Sequence, residues 1–258
     1  MEALDLGRSR LGRLASTVLF FDTIGSTNDV AMAHSAVAGE GLVVVADEQT
    51  SGRGRRGHVW FSPPGSGLYV SVVLAPATAS DPAKATTLLT LAAGVALSEG
   101  VEQATGLRLD LKWPNDLQVA RRKLGGILAE SSGTGNRSDV VVVGYGINVR
   151  ESAFPPELRD RATSLESALG HAVDRHLVLV ETLAALSRRY ADLLAGRFDA
   201  ILDAWRRLAP AASGARVTWS TTAGTLSGVT DGIDHCGALL VRLEGRMERI
   251  VSGELEWL

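Results

Sequence analysis

The chain has 258 residues, 45% of them hydrophobic and 21% charged, which is enough to bury one large core or a large and a small one. The formal net charge of −3 argues against a protein that coats nucleic acid or an anionic membrane, and no run reaches the roughly 20 apolar residues that span a bilayer. The single cysteine, Cys236, excludes an internal disulfide and is compatible with a reducing cytoplasm, and the histidines lack metal-ligand spacing.

Hydrophobic periodicity predicts strands and helices along most of the chain. Strands are predicted over 18–24, 41–49, 68–76, 107–113, 117–120, 124–130 and 139–149. Helices are predicted over 27–38, 84–105, 177–195 and 198–208. Ser26 is predicted to cap the first helix, with Asp29 three residues on in a shortened capping box.

The pattern changes at Pro210, where short alternating strands separated by glycine-rich turns begin. We therefore predict two domains, a large one over 1–210 and a small β-barrel or sandwich over 211–258. The fold class predicted for the whole chain is α+β, with a mixed β-sheet flanked by helices in the large domain.

The segment SGRGRRG, residues 51–57 and here called the arginine loop, is the strongest local signal of function. Its glycines let backbone N–H groups approach a ligand, and Arg53, Arg55 and Arg56 can pair with carboxylate or phosphate. The alternative is a solvated loop or one that touches nucleic acid. Because the loop lies between predicted strands, we favour ligand binding. Trp60, beyond it, either stacks on a purine or fills the core.

Three further motifs suggest ligand contacts. In KWPND, Asn115 and Asp116 can hold a ribose hydroxyl or a magnesium ion, although these residues are also common in turns. Lys123, at the tip of a predicted hairpin and beside two glycines, is either an exposed lysine or a point charge that bridges carboxylate and phosphate. In GYGIN, Gly144 and Gly146 leave room for a flat ligand or mark a crowded strand crossing.

Some common nucleotide and hydrolase motifs are absent from the sequence. There is no GxxxxGK[ST], no GxGxxG between a strand and a helix, and no GxSxG. A P-loop NTPase, a Rossmann dinucleotide site and a serine-elbow hydrolase are therefore excluded.

Five motifs, in this order, resemble the biotin–protein ligase family: STND, QTSGRGRRGHVWFSPPGSGLY, LKWPNDL, RKLGGILAES and GYGINV. They cover about residues 21–150. The resemblance implies a catalytic biotin- and ATP-binding domain related to class II aminoacyl-tRNA synthetases and lipoate ligases, followed by a small SH3-like β-barrel. It implies an ATP- and Mg²⁺-dependent ligase that makes biotinyl-5'-adenylate and transfers biotin to a lysine of a carboxylase's biotin carboxyl carrier protein.

The resemblance also implies roles for the matching positions. The expected biotin contacts are Ser26, Thr27, Asn28, Gln49, Gly52, Arg53, Gly54, Arg55, Lys123, Gly126, Gly144 and Gly146. The expected ATP or adenylate contacts are Arg55, Arg56, Trp60, Asn115, Asp116 and Asn148, with Asp116 as the magnesium ligand. Arg53, Arg55 and Lys123 are expected to be catalytic, because they neutralise two anions that must meet.

Other interpretations are lipoate or octanoyl transfer on the same scaffold and a non-enzymatic nucleic-acid binder, which the net charge disfavours. Some family members are repressors with an N-terminal winged helix-turn-helix. Because about 20 residues precede the first predicted strand, no DNA binding is expected; no membrane contact is expected either, and a homodimer is allowed. The segment 50–62 is predicted to be poorly ordered until a ligand binds.

Overall fold

A computed structural model of the chain describes residues 8–131, 140–151, 154–221, 224–253 and 255–258. Within these residues the strands are β1 (Thr17–Ile24), β2 (Leu42–Gln49), β3 (Gly67–Leu74), β4 (Asp110–Lys112), β5 (Asp116–Val119), β6 (Arg122–Ser131), β7 (Val141–Asn148), β8 (Ser213–Thr221), β9 (Gly224–Ile233), β10 (Leu239–Leu243), β11 (Arg246–Ile250) and β12 (Glu256–Trp257). The helices are α1 (Thr27–Ala38), α2 (Pro82–Thr105), α3 (Leu165–Leu169), α4 (Arg175–Leu194) and α5 (Phe198–Leu208).

The larger sheet has seven strands in the order β1-β2-β3-β7-β6-β5-β4. Strands β1 and β2 are parallel, and the other neighbours are antiparallel. Strands β3 and β7 are buried along their whole length, as their nearly continuous apolar sequences require. The predicted mixed sheet flanked by helices is confirmed.

The helices α2 and α4 pack closely against each other on this sheet. A side chain at Gly100 of α2 would place its Cβ 2.5 Å from the Cα of Thr182 in α4, so only a glycine allows this approach. Arg10 joins the N-terminal segment to α4 through two hydrogen bonds to Glu181, 2.7 and 2.5 Å long. These bonds lower the pKa of Glu181 below its ordinary value.

The second sheet is antiparallel, with the order β11-β10-β9-β8-β12. Its apolar face shares one hydrophobic core with the large sheet and α2. The indole Nε1 of Trp113, before β5, donates to the carbonyl of Gly237, 3.0 Å away. This sheet lies where the small barrel or sandwich was predicted, and the division at 210/211 stays a prediction.

Several sequence predictions of local structure were wrong. Strand β4 covers Asp110–Lys112 instead of 107–113. Ser26 occupies the N-cap position of α1, but its side chain makes no capping hydrogen bond. The helix α3, capped by Ser164, was not predicted.

The hairpin between β5 and β6 turns earlier than predicted. Ala120 and Arg121 form the turn with φ of 49° and 65°, so Lys123 lies inside β6, opposite Gln118, and not at the tip. No helix in the described part of the chain is both long and apolar enough to cross a bilayer.

Candidate active site

The arginine loop folds back on itself beside the end of β2. The N–H of Gly54 donates to His58 at 2.7 Å, and the N–H of Trp60 donates to Gly52 at 2.9 Å. A Cβ at Gly52 would lie 2.5 Å from the carbonyl oxygen of Trp60, so glycine is required there. The loop backbone is therefore fixed at its base, and its arginine side chains extend from a short hairpin.

Arg53 is held by two carboxylates from different elements. Its Nη2 lies 2.7 Å from Asp29 Oδ1, in α1, and 3.0 Å from Glu130 Oε2, near the end of β6. Partial burial alone would lower the pKa of Arg53, but the two carboxylates outweigh it and raise the pKa above the ordinary value. The guanidinium is thus a permanent cation at the loop base.

A chain of polar side chains runs from this ion pair into the sheet. Glu130 Oε2 accepts from Asn28 Nδ2 at 2.7 Å, and Asn28 Oδ1 accepts from Ser71 Oγ at 2.5 Å. Ser71 is fully buried on β3 and lies 2.8 Å from Thr27 Oγ1. Buried polar groups need such partners, so this chain forms the polar end of the candidate pocket.

The amide of Gln49 extends this polar chain at Thr27. Its Oε1 accepts from the backbone N–H of Thr27 at 2.9 Å, and its Nε2 donates to Ser62 at 3.0 Å. The first N–H group of α1 is therefore satisfied by a side chain of β2, and this replaces the predicted capping by Ser26. The bond to Ser62 ties the pocket to the segment that follows the arginine loop.

Trp60 covers the glycines of the sheet floor. A Cβ at Gly146 would lie 2.3 Å from its Nε1, and one at Gly126 would lie 3.3 Å from its ring. The Nε1 is buried without a hydrogen-bond partner in the described structure. The glycine at 144 serves a different neighbour, because a Cβ there would lie 2.1 Å from Asn28 Oδ1.

Lys123 and Arg55 are held by two consecutive residues at the start of β5, Asp116 and Asn115. The ammonium of Lys123 is 2.6 Å from Asp116 Oδ1 and 5.5 Å from the centre of the Trp60 ring. The guanidinium of Arg55 donates to Asn115 Oδ1 at 3.3 Å. Two cations from separate segments therefore lie at the same edge of the sheet.

The backbone of Lys123 is clamped by the segment before α3. Its N–H donates to Arg161 at 2.7 Å, and its carbonyl accepts from Thr163 at 2.9 Å. The side-chain amide of Asn148, at the end of β7, donates to the carbonyl of Thr163 at 3.0 Å and is buried. Asn148 thus supports the segment that positions Lys123.

A cavity of about 280 Å³ opens beside Arg55, between α2, β6 and the second sheet. Residues of α2, of β6 and of the segment after β4 line it, among them Thr87, Leu128 and Trp113. The second sheet adds Cys236 and Arg249. The candidate site is therefore bordered by both sheets.

The comparisons with known proteins agree on one family. Residues 20–148 match the model of the biotin/lipoate A/B protein ligase family. The bifunctional ligase/repressor BirA of Bacillus subtilis (strain 168) is 38% identical over 243 residues, 93% of this chain and 73% of that protein. This chain belongs to the biotin/lipoate A/B protein ligase family.

Two further relatives are matched by this chain over nearly their whole length. The biotin–[acetyl-CoA-carboxylase] ligase of Paracoccus denitrificans is 36% identical over 236 residues, 89% of this chain and 96% of that protein. The biotin protein ligase of Aquifex aeolicus, solved in complex with biotin and ATP, matches with a TM-score of 0.81 at 30% identity, over 94% of this chain and 99% of that one. Both sheets of this ligase-family chain thus have counterparts in relatives.

The structure brings most of the predicted site residues together. Polar and glycine residues of the predicted biotin pocket line the sheet floor and the start of α1, and the predicted nucleotide contacts lie around the turn before β5 and the end of β7. Arg56 is the exception, because it is exposed and makes no ion pair or side-chain hydrogen bond within the described residues. The ligand role of each residue stays a prediction.

Sequence reasoning missed Ser71, Glu130, Ser62 and the pairing of Asp29 with Arg53. Ser71 left a signal, because a lone hydroxyl in an otherwise apolar buried strand must find a partner. The sequence indicated a role for Glu130 only weakly, through a carboxylate at the end of GGILAE. The contacts of Ser71 and Glu130 with α1 and the arginine loop join residues 43 to 102 positions apart, which local patterns do not reveal.

Proposed function

We propose that this chain is an ATP-dependent ligase that activates biotin as biotinyl-5'-adenylate and transfers the biotin to a lysine of a biotin carboxyl carrier protein. The observation that carries the proposal is the pairing of Arg55 and Lys123 with Asn115 and Asp116 at the edge of a glycine floor, next to a chain of buried polar side chains. The relatives named above are ligases of this kind, and one was solved with biotin and ATP.

The first step joins two anions. A carboxylate oxygen of biotin attacks the α-phosphorus of ATP, the bond to the bridging oxygen breaks, and pyrophosphate leaves. The charges of Arg53, Arg55 and Lys123 offset the repulsion between the reactants and hold them in line. Fixed positioning alone is worth about 7–11 kcal/mol of the barrier.

The second step needs no protein nucleophile. The unprotonated amine of the carrier lysine attacks the acyl carbon of the mixed anhydride, an amide bond forms, and AMP leaves. The anhydride is sensitive to water, so the segment 50–62 is proposed to cover it. We place the entry of the carrier lysine in the cavity beside Arg55, since it reaches that residue from the surface between the two sheets.

Magnesium is the cofactor of this proposal. Mg²⁺ usually binds through one or two carboxylates together with substrate phosphates, and keeps several waters. Asp116 offers such a carboxylate, and within the described residues no group of three or more His, Cys, Asp or Glu side chains forms a self-contained metal site. These donors fit a magnesium ion that arrives with the nucleotide. Asp116 would hold this ion, and the ion would offset the charge of the phosphates.

A lipoate or octanoyl substrate is the second candidate on this scaffold. These acids lack the cyclic urea of biotin, and would leave the polar chain from Thr27 to Glu130 against an apolar ring or tail. The hydroxyl and amide groups of this chain can exchange hydrogen bonds with a cyclic urea but not with an apolar ring or tail, so we favour biotin. The expectations of a cytoplasmic location, a homodimer and no DNA binding stay predictions; the Bacillus relative is named a repressor as well as a ligase.

The test is ATP–pyrophosphate exchange by the purified chain with biotin, with lipoate and with neither. Exchange that depends on biotin supports the proposal, and exchange that depends only on lipoate supports the second candidate. A correctly folded chain that exchanges with neither acid contradicts both. Incorporation of labelled biotin into a carrier domain then tests the second step.

A further inference from the structure

The carboxylate of Glu130 joins three separate parts of the candidate site. One oxygen, Oε2, accepts from Asn28 Nδ2 at 2.7 Å and from Arg53 Nη2 at 3.0 Å. Asn28 begins α1 on the pocket side, Arg53 belongs to the arginine loop, and Glu130 stands on β6 four residues beyond Gly126.

Glu130 fixes the orientation of the Asn28 amide. An ionised carboxylate can only accept hydrogen bonds, so it must face the NH₂ end of the amide. The oxygen end then accepts from the buried hydroxyl of Ser71 at 2.5 Å. The Ser71 hydroxyl is also within donating distance of Thr27 Oγ1, 2.8 Å away, and the Thr27 hydroxyl in turn donates to Gln49 Oε1 at 3.1 Å. The donor and acceptor pattern of the pocket therefore starts at Glu130.

Glu130 also leaves part of Arg53 available for an anion. Both carboxylates near this guanidinium contact the same nitrogen, Nη2. Its Nη1 and Nε do not take part in these contacts. An arginine anchored through one nitrogen presents its remaining donors in a fixed direction, which suits the carboxylate or phosphate of a substrate.

We propose that Glu130 is a positioning residue for acid activation: it orients the Asn28 amide and the Arg53 guanidinium together, and so matches the pocket to a ligand with a polar ring and an acid tail. This inference rests on the proposed function. Glu130 acts through its two neighbours, so it governs the binding of biotin and not that of ATP.

The test variant is Glu130→Gln, which keeps the shape of the side chain. Its amide oxygen can still accept from Asn28 and Arg53, but the negative charge is lost, and the other atom becomes a donor that faces Arg53 Nη2, where the carboxylate now accepts at 3.3 Å. We expect the KM for biotin in pyrophosphate exchange to rise about tenfold or more, which is the usual effect of losing a charge-assisted hydrogen bond. The KM for ATP and the unfolding temperature should stay close to those of the wild type.

The matched control is Asp29→Asn, which removes the other carboxylate from the same nitrogen of Arg53. Asp29 contacts Arg53 at the shorter distance of 2.7 Å, but it has no hydrogen bond to Asn28. If Glu130 acts by coupling the loop to the pocket, this variant should change the KM for biotin by less than about threefold. If both variants change the KM for biotin equally, Glu130 only balances the charge of Arg53, and the proposal is overturned.

Two other outcomes also overturn it. One is an unchanged KM for biotin in Glu130→Gln, and the other is an equal loss for biotin and ATP together with a lower unfolding temperature, which marks a merely structural role. If the wild type shows no biotin-dependent exchange, the proposed function fails. Hydrogen–deuterium exchange of the amides of 51–57 still tests the coupling, because it should accelerate more in Glu130→Gln than in Asp29→Asn.

Discussion

Each basic side chain expected to act on the substrates is held by a partner from another segment. Lys123 pairs with Asp116, Arg55 with Asn115, and Arg53 with two carboxylates. These partners restrict flexible side chains before a ligand arrives, which lowers the entropy lost on binding. At the scale of the residue, the site is therefore a set of cations arranged in advance around the place where negative charge must be offset.

Arg55 should retain the adenylate on the enzyme. The variant Arg55→Gly loses the guanidinium and should release biotinyl-adenylate, so that lysines of an unrelated protein become biotinylated on the order of 10-fold or more above the wild type. The measurement is a biotin blot of bystander protein. The control is Arg108→Gly. Arg108 lies in a coil segment more than 50 residues from Arg55 in sequence, and its side chain is 87% exposed. Absence of bystander labelling by Arg55→Gly would remove the clamp role.

Lys123 should be required for the first step. In Lys123→Ala the ammonium beside Asp116 is lost, the reacting anions repel, and biotin-dependent pyrophosphate exchange should fall by about 100-fold or more. The variant should still fold, because this side chain is 38% exposed, and circular dichroism checks that it does. Exchange at a near-normal rate would exclude Lys123 from the mechanism.

At the scale of the element, the helix pair α2 and α4 supports the sheet that carries the floor glycines. Tyr145 on β7 points into this layer, where its hydroxyl lies 3.2 Å from that of Thr182. The opposite face of β7 carries Gly144 and Gly146, under Asn28 and Trp60. Strand β7 therefore contacts the helix layer on one face and carries two floor glycines of the candidate site on the other.

Gly100 sets the distance between these helices. In Gly100→Ala the new methyl group would lie 2.5 Å from the backbone of Thr182, so the free energy of unfolding should fall by about 1–3 kcal/mol. The control is Gly94→Ala on the same helix, where the nearest atoms lie 3.5 Å away and belong to the flexible side chain of Leu111. This change should be neutral or slightly stabilising, because alanine favours helix. Urea unfolding measures both, and equal effects would contradict the packing argument.

At the scale of the whole molecule, the two sheets meet around the cavity that contains Arg55 and Cys236. The path of the carrier lysine is proposed to run here, so the second sheet is expected to act in transfer and not in activation. Because Cys236 is the only cysteine, a single label can be placed at this border.

A bulky maleimide on Cys236 should separate the two steps. It should leave biotin-dependent pyrophosphate exchange within about twofold, but reduce transfer to the carrier by about tenfold or more, because the docking surface is obstructed. The control carries Cys236→Ser and Val37→Cys, since Val37 is 93% exposed on α1 and does not line the cavity. Equal transfer by both labelled proteins would exclude this route.

Local sequence patterns were enough to predict the main elements and the family. The apolar runs and helical stripes predicted α1 at its observed bounds and most strands of the large sheet within a few residues, because burial imposes the same periodicity wherever an element lies. The glycines and arginines of the loop were visible as well, since close approach and anion pairing need those residue types.

The contacts between these residues became apparent only in the folded chain. The hairpin turn moved Lys123 from a predicted tip into β6, and Gln49 took over the role at the start of α1 that Ser26 was expected to have. The tie from Glu130 to Asn28 joins residues 102 positions apart, and a hydrogen bond of that kind depends on a distance in space that no local pattern of residues encodes.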